Sequence, residues 1–289
     1  MFLALGAGDI IGGMFHLLSH AFFKALLFLA AGCVIQALYE EHDIFRMGKL
    51  RGRMPAVFWL FFIGALSLGS LPPSGGLFSK DRILLATFSH PELIYKFLWV
   101  VAAVTALLTP LYTFRLLFIA FLGRPAQQKE QEIRAVPELM VWPLWPLAIL
   151  SLFSGFLNLP AIWSGNEWLS QYLSAVPGSI PHVSASSSME WAMEIGSGLF
   201  SIAIAVLAYF LYCPDNFLGW SIKIPQRQAL YELLFSGFYL DRLYQQVIGR
   251  PYQIIASFAW LKIDENSLDI GLEKTGKLFP SLSAGLQQW

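Results

Sequence analysis

The chain has 289 residues, 56% of them hydrophobic and only 13% charged, and its basic and acidic side chains balance to zero net charge. With a mean hydropathy of +0.57 it falls far from a soluble domain, in which about 25% of residues are charged. The lack of a net basic charge or a basic run also argues against a nucleic-acid partner. The class left is an all-α, polytopic membrane protein. Cys33 and Cys213 lie in or at the end of apolar segments far apart in sequence, which gives neither a disulfide framework nor zinc spacing.

Residues 1–12 lack the basic start and the apolar run of a signal peptide and read as the tail of a preceding helix. A first span follows, Gly13 to Tyr39, long and apolar enough to cross a bilayer. It carries His16, His20 and Lys24 at i, i+4 and i+8, within roughly 80° of one another on one helix face. A lysine in mid-bilayer costs about 2.5–3.5 kcal/mol on the gentlest scale. It is tolerated where it faces a protein interior or a water path, so this row is expected to be buried and functional. The spacing of the two histidines would also suit a metal, but no third ligand accompanies them on this span.

A polar loop, EEHDIFRMGKLRGRMP, leads to a second span that starts after Pro55 and is expected to break at Leu71, Pro72, Pro73, Ser74, Gly75 and Gly76. Two prolines and two glycines cannot continue a helix. Non-helical backbone at membrane depth is tolerated only where protein or a water-filled cavity surrounds it. Lys80 and Asp81 sit just past the break. A third span is expected at Leu93–Leu122, with Pro110 as a kink and Arg115 snorkelling toward the helix end. A fourth lies at about Pro137–Leu157 and a fifth at about Trp191–Cys213. Lys plus Arg in the successive loops and after the fifth span number 4, 0, 3, 0 and 2. That alternation fits five crossings with the first loop and the post-span segment cytoplasmic.

Beyond Gly237 the pattern becomes amphipathic. Leu240, Leu243, Tyr244, Val247, Ile248, Pro251, Ile254, Ile255, Phe258 and Leu261 form one apolar stripe at helical spacing, with charged and amide residues opposite. A weaker stripe continues through Leu268, Leu272, Phe279, Leu282 and Leu286. Residues 238–288 would reach about 75 Å if wholly helical, enough to run along neighbouring subunits; the plainer expectation is an interfacial anchor broken at Asp264–Asn266. The organisation expected is thus 1–12, a helix tail; 13–122, three spans with the ion path; 123–213, two further spans; and 214–289, a linker and lateral helix.

No phosphate loop, nucleotide fingerprint or nucleophile motif is present. The chemistry these residues permit is proton handling: His16 and His20 toward the outer side, Lys24 near the midplane, and Lys80 beyond a break whose free backbone could hold water.

At HLLSHAFFKALLFLAAG the chain resembles the antiporter-like, proton-translocating family of complex I, closest to the L-type (mitochondrial 5-type) subunits. HDIFRMGKLRGRMP, GLFSKDRIL, LYTFRLLFIAFLGRP and YLDRLYQQVIGRPY match the same family in order, so the resemblance covers nearly the whole chain. It implies that Lys24 is the central lysine of a half-channel, that His16 and His20 connect to it, and that Lys80 with Asp81 is the terminal group at the broken helix. It implies no redox cofactor here; NADH, FMN, iron–sulfur clusters and quinone would belong to partner subunits. The partners implied are other membrane subunits of complex I, the absent first half of the same subunit, and lipid, in a bacterial inner membrane. Because the family's subunit is about twice as long, the chain reads as its C-terminal half. The first-span motif is shared with Mrp-type cation/proton antiporters and membrane-bound hydrogenases, which leaves these as alternatives, as it does a non-transporting structural remnant.

Overall fold

A computed structural model describes residues 1–123, 133–159, 167–176, 187–213, 232–274, 276 and 280. The chain divides into two compact units, Met1–Trp220 and Ser221–Trp289, and every described regular element is helical.

The first unit opens with a short helix, α1 (Phe2–Gly6), and then the long α2 (Ile10–Ala37). Asp9 starts α2: its carboxylate accepts the Gly12 amide at 2.8 Å, a helix N-cap that satisfies one of the donors left over at a helix start. The span therefore begins three residues before the Gly13 read from the apolar run. After α3 (Leu50–Arg53), α4 runs Pro55–Leu68 and α5 runs Gly75–Ser89. The next helix, α6 (Leu93–Leu117), contains Pro110 and ends in a widened turn at Phe118–Leu122. The fourth span is built in pieces: α7 (Glu138–Val141), α8 (Leu144–Phe153) and a tight 3₁₀ stretch, Ser154–Asn158. The short α9 (Trp168–Leu173) and the long α10 (Ser187–Tyr212) complete the unit.

Among the described residues four helices are long and apolar enough to cross a membrane: Ile10–Ala37, Leu93–Leu122, Glu138–Asn158 and Ser188–Tyr212. Helix α4 has 14 residues and reaches about 21 Å at 1.5 Å per residue, short of a hydrocarbon core of about 30 Å. It needs α5 to complete a crossing.

Helix α2 is the hub, packing against α4, α5 and α8. The main core is made by Leu26, Ala30, Cys33 and Val34 of α2 with Leu60, Phe61 and Ala65 of α4, Phe114 and Leu117 of α6, Leu144 and Ala148 of α8, and Ala205 and Ala208 of α10. Arg115 does not simply reach for water: its guanidinium lies 5.6 Å from the ring centres of both Phe45 and Tyr212, a cation–π sandwich that binds the first loop to the end of α10.

In the second unit, a 3₁₀ turn (Gly237–Tyr239) leads into α11 (Leu240–Tyr244), a widened π-type turn (Gln245–Gly249), α12 (Arg250–Ala259) and a second widened stretch, Trp260–Asp269. The expected stripe is thus helical but not uniformly α. Pro251 supplies the reason for the first widening: with no N–H to give the carbonyl four residues back, it leaves the preceding turn free to open. The backbone stays helical through 264–266, where the interfacial-anchor reading placed a break. Phe279, Leu282 and Leu286 lie outside the described residues.

Candidate functional site

The polar groups of the first unit collect where α4 stops and α5 begins. Helix α4 ends at Leu68, Ser70 takes a left-handed φ of +58°, and α5 starts at Gly75. The non-helical stretch is therefore Gly69–Ser74, two residues earlier than expected at each end, and Gly75 and Gly76 are the first turn of α5. The two glycines are there for proximity. A Cβ on Gly76 would lie 1.8 Å from the Ser67 carbonyl oxygen, and one on Gly75 would lie 2.0 Å from Ser154 Oγ. Only hydrogens fit where the second half-helix starts against the end of the first and against the 3₁₀ stretch after α8.

Lys80 reaches back across the break. Its Nζ donates to the Leu68 carbonyl at 2.5 Å, so a cation sits on the carbonyl end of α4, where the helix dipole favours positive charge. Asp81 turns the other way. It is 5% exposed, and its Oδ2 accepts the Ser197 hydroxyl of α10 at 2.6 Å. Glu194, one turn before Ser197, is also buried.

On the α2 side, His16 Nδ1 lies 3.1 Å from Ser79 Oγ, and Ser19 donates its hydroxyl to the same Ser79 oxygen at 3.0 Å. Ser79 immediately precedes Lys80, so α2 and the second half-helix are joined within one residue of the lysine. The rings of His16 and His20 are 5.8 Å apart.

Lys24 departs from the expectation of burial. It is exposed on the surface of this chain, with its Nζ 4.9 Å above the Phe28 ring. The face of α2 that packs inward carries Phe15, Ser19, Phe23, Leu26 and Ala30. Lys24 follows Phe23 by about 100° and falls with Met14, Leu17 and Phe28 on the outward face. The histidines occupy the edge between the two faces. The sides of α2 away from the His16–His20–Lys24 row are evenly apolar, so no periodicity there marked the face that packs.

A second polar cluster was not anticipated. Arg82 donates from Nε to Asp9 Oδ2 at 3.1 Å, from Nη2 to Asp9 Oδ1 at 3.2 Å, and from Nη1 to Ser170 Oγ at 3.2 Å. Ser170 in turn donates to Asn158 Oδ1 at 2.8 Å through its hydroxyl and at 3.1 Å through its amide. The fork ties the start of α2 to α5 and α9. Asp9 carried one visible signal: an aspartate just ahead of a long apolar helix is an N-cap candidate. Its pairing with a residue 73 positions away had none.

Among the described residues no group of three or more His, Cys, Asp or Glu could hold a metal ion. These elements define a class: an all-α membrane bundle in which lysine, histidine and carboxylate side chains gather around a discontinuous helix. Residues 1–109 match the family described as NADH:quinone oxidoreductase/Mrp antiporter, transmembrane. NADH-quinone oxidoreductase subunit L of Pseudomonas aeruginosa is 35% identical over 260 residues, which span 88% of this chain and 39% of that protein. Subunit L of Escherichia coli is 36% identical over 266 residues, spanning 90% of this chain and 39% of its own. NAD(P)H-quinone oxidoreductase subunit 5, organellar chromatophore 1, of Paulinella chromatophora is 32% identical over 322 residues, spanning 99% and 46%. The first 109 residues thus match an antiporter-like family model, and nearly the whole chain is similar to L and 5 subunits, of whose length it spans about two fifths.

Proposed function

We propose that this chain carries protons as part of the membrane arm of an NADH–quinone oxidoreductase. The observation that carries the reading is the junction at the break. Ser79 touches the histidine row of α2, and its neighbour Lys80 holds the last carbonyl of α4. A proton-accepting row and a cation at a helix break are thus adjacent in sequence and in space. His16 and His20 pass protons along α2, Lys24 receives or delivers them at the outward face, and Lys80 with Asp81 forms the terminal group. The chain supplies no redox chemistry; NADH, FMN, iron–sulfur clusters and quinone belong to other subunits of the complex.

The exposure of Lys24 supports a partner on that face. A lysine against lipid at mid-bilayer costs about 2.5–3.5 kcal/mol or more, and the exposed apolar neighbours would sit well against another helix. The occupant proposed is the first half of an L-type subunit or an adjoining membrane subunit, in a bacterial inner membrane. The amphipathic second unit is proposed to bind neighbouring subunits.

The test is NADH-driven proton uptake by inverted membrane vesicles that contain the assembled complex. Lys24→Ala and Lys80→Met are expected to lower pumping strongly, with the chain still co-purifying with the redox subunits. Unchanged pumping in both variants, with the chain still co-purifying, would leave a non-transporting structural remnant, and failure to co-purify would remove the chain from the complex. The family description also covers Mrp-type antiporters. Sodium-dependent proton exchange in vesicles given no NADH would favour that second reading.

A further inference from the structure

The hydroxyls of Ser74 and Ser154 are buried and have no hydrogen-bond partner among the described residues. Ser74 is 0% exposed and Ser154 is 3% exposed. Both lie at the break: Ser74 caps the start of α5, and a Cβ on Gly75 would lie 2.0 Å from Ser154 Oγ. Buried hydroxyls are rarely left without a partner, because each then loses its hydrogen bonds to water with nothing in return.

Their surroundings are polar in both directions. Toward the end of α4, Ser151 donates its hydroxyl to Ser67 Oγ at 2.7 Å, and Ser67 donates to the Ser151 carbonyl at 3.1 Å. Toward the other end of the bundle, one turn beyond Ser154, Asn158 is 5% exposed and accepts from Ser170, which in turn accepts from Arg82 in the fork with Asp9. Asp9 opens α2 and the loop charges place that end outside. Buried polar side chains therefore run from the break to the outer end of the bundle, and the two orphaned hydroxyls fall in an interval of that run that no hydrogen bond spans among the described residues.

We propose that Ser74 and Ser154 hold water in the break, and that this water continues past Asn158 and Ser170 to the Asp9–Arg82 ion pair, which closes the route at its outer end. A buried water needs two to four polar partners; the two hydroxyls, with backbone groups freed by the break, supply them. The route lies along α8 and α9, apart from the histidine row of α2, and gives the proposed ion path an outward branch that opens only when Arg82 leaves Asp9.

Accessibility to a water-borne reagent tests this in the full chain in its native membrane. Cys33 and Cys213 are first replaced by alanine. Single cysteines are then placed by Ser154→Cys and Asn158→Cys, and by Ala148→Cys, a 1% exposed core position on the same span. Methanethiosulfonate ethylammonium added from the aqueous side is expected to modify the first two faster than the third on the order of tenfold, equivalent to ~1.4 kcal/mol in access. Adding Arg82→Gln should raise the rate at Asn158→Cys further. Equal rates at all three positions would overturn the route.

The unsubstituted chain gives a second reading that needs no variant to fold. Radiolytic hydroxyl labelling read by mass spectrometry should modify Phe78, whose ring packs against Gly155, and leave Phe121 of the core untouched. Equal labelling of the two rings would also refute the proposal. Both readouts report water whether or not the chain moves protons. Labelling as expected with no effect of the lysine variants on pumping would therefore count against the proposed function and leave the water route standing.

Discussion

Gly76 is the tightest point of the junction between the half-helices, and Gly76→Ala tests how much the site depends on it. The new Cβ would lie 1.8 Å from the Ser67 carbonyl oxygen and 2.8 Å from its carbon, whereas real Cβ contacts essentially never fall below 3.0 Å. Both obstructing atoms are backbone, so no side chain can swing aside, and α5 must move off the end of α4 by about 1.2 Å. Overpacking of this kind costs about 1–3 kcal/mol. The same shift pulls on the 2.5 Å bond from Lys80 to Leu68, and bonds to charged groups contribute about 1.5–3 kcal/mol.

At ~2–4 °C per kcal/mol, the packing cost alone predicts a fall in apparent unfolding midpoint of roughly 2–12 °C. The assay is tryptophan-monitored melting of the purified full chain in nanodiscs. Two further glycines give the scale. Gly75→Ala meets the Ser154 hydroxyl, which can rotate away, and the Gly155 amide at 2.9 Å, so it should fall between. Gly32→Ala has nothing within 4 Å in a helix interior, where alanine gains about 0.5–1 kcal/mol over glycine. Equal midpoints for Gly76→Ala and Gly32→Ala would refute the close approach and, with it, the geometry of the break.

Three other outcomes follow from the geometry. Arg82→Leu strands the buried Asp9 carboxylate and should cost about 3–5 kcal/mol; Asp9→Asn added to it should recover part of that loss, and a double-mutant cycle with no coupling would contradict the fork. Ser79→Ala removes the shared partner of His16 and Ser19 and should destabilise by about 1–2 kcal/mol; amide exchange rates in α5 that do not rise would speak against Ser79 as the link to α2. Pro251→Ala restores an N–H and should tighten the turn at Gln245–Gly249 into regular α geometry. Spin-label distances between positions 243 and 254 would report this, and an unchanged distance would mean that the widening has another cause.

Much of the fold was legible because it rests on local chemistry. Helix breakers near Pro72 and Pro73 mark the interruption, apolar runs mark the spans, and the spacing from Leu240 to Leu261 marks the amphipathic helix. The edges of the break were misplaced because Gly75 and Gly76 read as breakers, while the structure uses them to bring one helix end against another. The outward turn of Lys24 was hidden because the cost of a lysine facing lipid argued for burying its face, and the remaining sides of α2 are so evenly apolar that no periodicity picks out another packing face. Asp9 with Arg82, and Asp81 with Ser197, depend on contacts across 73 and 116 positions, and helical spacing carries no information at that range.

The bond from Lys80 to Leu68 has a mechanical side. The amine is a fastener whose grip depends on its charge. While it is protonated it holds the negative end of α4 with a charge-assisted bond and a favourable dipole, the latter contributing about 0.3–1 kcal/mol, and up to ~2 kcal/mol where partly buried. Once the proton leaves, the dipole attraction is gone and the carbonyl competes for other donors. On the proposed path, each proton passing through Lys80 would slacken and retighten the seam between the two half-helices, so that charge transfer and a small movement of α5 against α4 would be one event.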